Sequence, residues 1–282
     1  MRYSQIRAFH HVAICGGFSR AAQALSLTQP ALSEQVRKLE ADHDVLLFNR
    51  DRKQITLTAA GERLLIITRQ FFEVEGQIAD ILSENRAALD GALRIMADSA
   101  FHLTGRLNRF RLRHPHVFVS VQTGNTADIL TALRTYDVDI GVVGSLKPGP
   151  DMQVTRLGTS PIVAFAALSF FDTPPTATTL RDLATHPLIF REKGSKTRQE
   201  LEAESLRQGI TLRPAFEVEG REAVQEIVAS GAGIGFVSEA EFGNDPRLLK
   251  LPLDCPQLTM SEALIHLKQR SDVRVIRAFM NA

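Results

Sequence analysis

Residues 16–40 read GGFSRAAQALSLTQPALSEQVRKLE, and this run restricts the fold of the N-terminal part more than any other stretch. Phe18, Ala22 and Leu25 fall at i, i+4 and i+7, the buried stripe of one short helix. Leu32, Val36 and Leu39 repeat that spacing in a second. A polar, tight turn separates the two, and Thr28 and Pro30 open the second helix as cap and first-turn residue. Ala21 and Ala22 are small enough for the helices to cross closely. This is the layout of a helix-turn-helix, whose second helix lies in the DNA major groove. Gln29, Ser33 and Arg37 share the outward face, so an amide, a hydroxyl and a guanidinium point the same way, groups suited to base edges and phosphates. The alternative for that face is an ordinary solvated helix surface.

Beyond the helices come Leu47-Phe48, then Asn49-Arg50-Asp51-Arg52-Lys53 and Ile55-Thr56-Leu57-Thr58. Together with the preceding run, these residues resemble the winged helix-turn-helix of LysR-type transcriptional regulators, with a two-stranded wing whose basic tip includes Lys53. The resemblance implies that Gln29, Pro30 and Ser33 sit at the groove of double-stranded DNA, with Ser19, Arg50 and Arg52 on phosphates. Two positions depart from the family pattern. Glu34 stands where a basic residue is common and Asp44 where glycine is common. The first puts a carboxylate near the phosphates, which weakens binding or changes base preference.

At 282 residues the chain exceeds the ~100–200 residues of a usual domain, so two or three compact units are expected. A hydrophobic content of 44% with 23% charged residues is that of a soluble globular protein. No apolar run approaches the ~18–20 residues of a membrane span. The N-terminus leads straight into an amphipathic helix over residues 4–15, burying Ile6, Phe9, Val12 and Ala13, without a secretory h-region. A cytoplasmic protein with no membrane partner is expected. Cys15 and Cys255 lie in different expected domains and outside any Cys/His cluster, which argues against a disulfide framework or zinc site; no metal or cofactor is expected. His10 and His11 project about 100° apart on a helix, so one packed and one exposed ring is the expectation, not chelation. Residues 1–58 hold eight Lys/Arg against five Asp/Glu, a modest excess for gripping DNA, so several copies are expected to act together.

From Thr58 to Leu89 there is no proline, and Ala60, Leu64, Ile67, Phe71, Val74, Ile78 and Ile81 recur at alternating spacings of four and three. That is a heptad seam on a helix about 48 Å long at ~1.5 Å per residue. The alternative is one long helix lying on its own domain. The resemblance implies that such a helix dimerises, giving a homodimer or homotetramer.

After Gly91 strand and helix signals alternate. Strand-like runs at 92–97, 117–122 and 139–144 are joined by helical stretches at 104–113 and 127–136, a parallel βαβαβ pattern. A second series follows at 161–168, 187–191, 214–219 and 233–238, with helices near 197–208 and 221–230. A last strand, 261–268, and a terminal helix, 272–280, return to the first half. The expected fold class is α/β with an N-terminal mainly-α winged helix-turn-helix, a long linker helix, and a two-lobed effector domain like a periplasmic binding protein. The expected divisions are 1–58, 59–90 and 91–282, with the first lobe about 91–160 and 265–282 and the second about 161–264.

Ligands of open α/β sheets gather at the carboxyl ends of strands and at helix N-termini. Four segments fit. Asp98-Ser99-Ala100-Phe101-His102 follows the first strand and Gly124-Asn125-Thr126 the second. Glu192 to Arg198 opens a helix of the other lobe, and Glu219-Gly220-Arg221-Glu222 another, with Ser238 nearby. The third is the most telling: Ser195, Thr197, Arg198 and two lysines at a helix start favour an anion. Its alternative is a plain capped helix start. Ser99 could share the anion from across the cleft, while Asp98, Glu219 and Glu222 suit a cationic group. Asp98 with Phe101-His102, residues 220–224, residues 238–243 and residues 245–248 also resemble a subgroup of LysR-type regulators associated with 2-aminoethylphosphonate catabolism. That resemblance implies a small-molecule effector with an acid at one end and an ammonium at the other. In this family the effector would alter DNA bending and RNA polymerase contact.

An enzyme is the contrasting reading, but Gly-x-Ser-x-Gly, His-Glu-x-x-His and Walker-type motifs are missing from the sequence. A plain solute-binding protein leaves residues 1–58 unexplained.

Overall fold

The computed structural model describes residues 1–51, 54–82, 89–144 and 149–282, with only the backbone of Arg50, Asp51, Gln54 and Asp80. It divides into two compact units, Met1–Arg86 and Ala87–Ala282.

The first unit starts with three helices, α1 (Tyr3–Cys15), α2 (Phe18–Ala24) and α3 (Gln29–Asp42). Gly16, at φ +66°, takes the left-handed conformation that closes α1, and the amides that follow satisfy the carbonyls of Ala13 and Val12. Thr28 caps α3 by accepting from the Ala31 amide. Phe9, Ala21, Leu32 and Val36 are fully buried where the three helices meet. The face of α1 toward this core carries Ala8, Phe9 and Val12, while Ile6 and Ala13, expected inside, are half-buried. His10 is buried instead, because the helix has a second covered face. Its Nδ1 lies 3.0 Å from Thr68 Oγ1 and its ring 4.5 Å from that of Phe72. His11 is half-buried, so neither ring of the pair is the exposed one expected.

A hairpin follows, β1 (Phe48–Asp51) and β2 (Gln54–Leu57), antiparallel with Phe48 opposite Leu57. Glu40, at the end of α3, is buried and accepts from the amides of Leu47 and Phe48, tying the hairpin to the helix. Asp44 adopts φ +48°, the conformation that favours glycine. The long helix α4 (Ala59–Leu82) then leaves the head. Gly61 is required there, since a Cβ would lie 2.2 Å from the Leu47 carbonyl oxygen. Ala60, Leu64 and Leu65 pack on the head core. Further along, Ile67, Phe71, Val74, Ile78 and Ile81 are exposed. Residues 83–88, the end of the expected helix, lie outside the described residues.

The second unit contains β3 (Gly91–Ala97), α5 (Thr104–Arg113), β4 (Val117–Thr123), α6 (Thr126–Arg134), β5 (Ile140–Gly144) and β6 (Met152–Ala167). It continues with α7 (Leu180–Leu183), β7 (Leu188–Arg191), α8 (Lys196–Arg207), β8 (Pro214–Val218), α9 (Arg221–Ala229), β9 (Gly235–Ser238), β10 (Leu248–Leu251), β11 (Thr259–Leu267) and α10 (Arg274–Met280). β3 lies between β4 and β5, parallel to both, so the first lobe is the βαβαβ unit read from the sequence. β6 is twice as long as the expected strand. Its first half pairs with β11, and its second half with β9 and β10. The chain thus crosses between lobes along β6 and returns along β11, which pairs with β5 from Glu262 onward. Each lobe has its own core. Leu93, Ile95, Phe110 and Phe279 are fully buried in the first, Leu188, Leu201 and Ile234 in the second. Among the described residues no helix is long and apolar enough to cross a membrane.

Candidate DNA-reading face and inter-lobe cavity

Gln29 and Pro30 occupy the exposed first turn of α3, with Ser33 half-buried one turn on. Ser19 Oγ, on α2, donates to Gln29 Oε1 at 3.0 Å. The carbonyl end of the Gln29 amide is therefore engaged across the turn. Arg37 is exposed but not idle: Nε and Nη2 donate to the two oxygens of Glu34 at 2.9 and 3.0 Å, and Lys38 sits 3.5 Å from the same carboxylate. Glu34 thus partly neutralises two cations of the reading helix. The backbone of Arg50 belongs to β1, its side chain is not described, and Arg52 and Lys53 lie outside the described residues.

In the second unit, the two lobes face each other across a cavity of about 110 Å³ lined by Asp98, Asn125, Arg191, Glu192, Glu219 and Arg221, among others. Asp98 and Ser99 come from the end of β3. Arg191 ends β7 and Arg221 begins α9, both on the opposite lobe. Arg191 Nη2 donates to Asp98 Oδ1 at 2.9 Å, and its Nε and Nη2 hold both oxygens of Glu192. Arg221 Nη1 donates to Ser99 Oγ at 2.8 Å and its Nη2 to Glu222. These are contacts between lobes. Burial would lower the Arg191 pKa, but its hydrogen bonds to Glu192 and Asp98 prevail and raise it. Burial wins at Asp98, whose carboxyl is pushed up despite Arg191. The buried Nε–H of Arg221 has no partner among the described residues.

Gly220, at φ +83°, donates its amide to Glu192, and Glu222 is mostly exposed. Asn125 is spent as the cap of α6, its Oδ1 accepting from the amides of Ala127 and Asp128. Gly194 approaches it so closely that a Cβ there would lie 2.9 Å from Oδ1. Phe101 is exposed. Ser238 is buried, its Oγ 2.6 Å from Ser160 Oγ.

The start of α8 differs from the anion site expected there. Arg198 donates to Glu202, Glu217 and the Arg191 carbonyl, and Lys196 pairs with Glu200. Thr197 is buried against Met260, with Oγ1 3.6 Å from the sulfur. Ser195 is fully buried, its Oγ lacks a partner among the described residues, and it does not line the cavity. Lys196 and Arg198 are thus engaged by carboxylates of their own lobe, and the guanidiniums that line the cavity are Arg191 and Arg221.

Beside Arg221 lies a second group. His102 Nε2 is 3.1 Å from Glu241 Oε1 and 3.8 Å from Glu262 Oε1, and Arg221 Nη1 is 3.7 Å from Glu241 Oε2. Burial, with Glu241 and Asp98 close by, pushes the Glu262 carboxyl up to about 9.

Residues 3–62 match the family described as bacterial regulatory helix-turn-helix protein, lysR family, and residues 86–282 match the LysR substrate binding domain. The protein belongs to the LysR family of transcriptional regulators. The RuBisCO operon transcriptional regulator of Allochromatium vinosum is 30% identical over 236 residues, 83% of this chain and 78% of that protein. The transcriptional activator IlvY of Salmonella typhimurium is 30% identical over 252 residues, 87% and 85% of the two chains. In fold, the chain resembles a full-length OxyR variant from Pseudomonas aeruginosa at TM-score 0.80 and 19% identity, covering 100% of this chain and 94% of that one. It also resembles CbnR complexed with its target DNA, at TM-score 0.69 and 22% identity, covering 100% and 98%. These relatives are regulators, and this LysR-type protein is a DNA-binding regulator with an effector-binding domain, not an enzyme. The 2-aminoethylphosphonate subgroup finds no support among them.

Arg191 and Glu262 are cleft residues of this LysR-family regulator that lie outside every site segment singled out from the sequence, while Glu192 and Glu241 lie inside such segments without a role assigned to them. Glu262 carried a usable signal: a carboxylate inside the apolar run MSEALIHL has to find a purpose when the strand is buried. Arg191 likewise closes the buried strand LIFR.

Proposed function

We propose that this regulator works as a homodimer or tetramer joined along α4, and that a compact zwitterion held between the lobes by Asp98, Arg191, Arg221 and neighbouring carboxylates sets its activity on DNA. The observation that carries the effector reading is the Arg221 Nε–H, a buried donor without a partner beside a cavity lined from both lobes. An acid group on the effector would accept from it. The cavity walls also hold Asp98, Asp128, Glu192, Glu219 and Glu222, so an ammonium group finds carboxylates at the other end. At about 110 Å³ the space is smaller than the ~300–1,000 Å³ of drug-sized pockets, which favours a molecule of amino-acid size. 2-Aminoethylphosphonate is one such compound, and small amino acids are others. A ligand touching both lobes favours one closure state by its differential affinity. In the DNA-bound assembly that change would pass to DNA bending and RNA polymerase contact. Gln29, Pro30, Ser33 and Arg37 would read the groove, with Ser19, Arg50, Arg52 and Lys53 on phosphates.

Calorimetry and thermal shift with 2-aminoethylphosphonate, β-alanine and taurine test the effector reading, since the three share an ammonium and differ in the acid. At least one should stabilise the protein and change its gel shift on its own upstream DNA, and Arg221→Ala should abolish both effects. No shift with any of them at millimolar ligand would rule out an aminoethyl acid as the effector.

A further inference from the structure

His102, Glu241 and Glu262 are far apart in the sequence, and the fold gathers one donor atom of each within 4.8 Å. His102 sits in the turn after β3 of the first lobe, Glu241 in the turn after β9 of the second, and Glu262 on β11 where the chain crosses back. Their side chains are 11%, 7% and 5% exposed. On a tetrahedral ion with bonds of ~2.0–2.2 Å, neighbouring donors stand about 3.3 Å apart. His102 Nε2 is already 3.1 Å from Glu241 Oε1 and 3.8 Å from Glu262 Oε1, so small side-chain movements close the set.

A second observation points to a cation as the ligand. Glu262 Oε1 is buried and accepts no hydrogen bond among the described residues. The composition of the surroundings agrees: among the described residues the carboxyl groups of Asp98, Glu192, Glu241 and Glu262, buried or half-buried, lie beside the two guanidiniums of Arg191 and Arg221. We propose that His102, Glu241 and Glu262 bind one divalent transition-metal ion that ties the two lobes together next to the effector cavity. One imidazole and two carboxylates suit a borderline ion such as Zn²⁺, Co²⁺ or Mn²⁺. Three protein donors leave a coordination position open to water or another oxygen donor. Arg221, beside the outer oxygen of Glu241, orients that ligand and links the metal to the cavity wall. By bridging both lobes, the ion would bias their closure whether or not an effector is bound.

The test uses full-length protein stripped with a chelator and titrated calorimetrically with ZnCl₂ and MnCl₂, without effector. A parallel Co²⁺ titration reads the ligand set by visible absorption. One equivalent per chain is expected, with a rise in melting temperature. H102A and E262Q should each weaken binding by more than the roughly 10–100-fold that loss of an outer-shell partner costs. The control H116A, at an exposed turn position, should leave it unchanged. E241Q replaces E262Q if the latter lacks the native circular dichroism. Absence of saturable binding up to about 1 mM metal, or equal affinity in H102A and the folded glutamate variant, would overturn the proposal. Because no zwitterion is present, neither result bears on the effector reading.

Discussion

Replacing Val74 and Ile78 together with lysine should separate the protomers while leaving each one folded. Both side chains are 52% exposed and lie outside the core of the DNA-reading head. Full burial of such a side chain stabilises by ~1.5–3 kcal/mol. About half of each surface is already covered by its own helix, which leaves ~0.8–1.5 kcal/mol per side chain for a partner to bury. Two positions on each of two protomers give ~3–6 kcal/mol, or a dimer about 10²–10⁴-fold weaker. Lysines forced into the seam act in the same direction. Stability of the protomer itself should change by no more than ~0.5 kcal/mol, as at other exposed positions. Sedimentation equilibrium over a dilution series reads the association constant, and circular dichroism melts read the fold. Affinity for a two-half-site DNA should fall along with the dimer, because each reading head alone carries little charge. A variant that keeps the parental mass down to the same dilution would refute a seam along Ile67, Phe71, Val74, Ile78 and Ile81.

The remaining predictions concern two titratable side chains of the head. Glu34→Gln frees Arg37 and Lys38, so DNA should bind more tightly and the salt dependence should steepen by up to ~0.9 for each phosphate gained. Fluorescence anisotropy at several salt concentrations measures this, and unchanged slope and affinity would remove Arg37 from the interface. Burial, with smaller effects of His11 and Arg69, lowers the His10 pKa to about 4 from the ordinary 6.5. The unfolded chain then takes up a proton that the folded one refuses. The contribution is complete above pH 6.5 and is lost as the pH falls toward 4. Thermal melts over that window should decline less steeply in His10→Gln than in the parent, and parallel declines would show that another group governs the acid limb.

Local periodicity carried most of the fold into view. The stripes of α2 and α3, the heptads of α4 and the βαβαβ order of the first lobe each follow from spacing within one element. What depended on neighbours was less legible. β10 and α7, read as LLKL and LRDL, suit a strand or a helical turn equally until pairing with β6 and the Thr179 cap decide them. β6 was cut to its apolar second half because its first half alternates with Arg156, Gly158 and Ser160 and is held by β11 alone. In α1, His10 looked interchangeable with His11 until α4 supplied Thr68 and Phe72.

The cleft shows the same division more sharply. A cation at a helix start is attractive to an anion only if nothing nearer has claimed it. Lys196 with Glu200 and Arg198 with Glu202 stand four residues apart, so the sequence already contains partners for two of the cations in that segment. Glu217 from β8 and the Arg191 carbonyl complete the capture of Arg198, and those contacts require the fold. Arg191 shows the reverse. It sits next to Glu192 and reads as a spent surface pair, yet the end of β7 carries it into the gap, where it also grips Asp98 of the other lobe. Buried ion pairs of this kind do little for net stability once desolvation is counted, while losing one partner is costly. Their consequence here is positional: a ligand alters lobe closure by competing with, or adding to, the inter-lobe links, among them Arg191–Asp98, Arg221–Ser99 and His102–Glu241. A ligand that leaves all of these links untouched would bind without shifting the closure of the lobes.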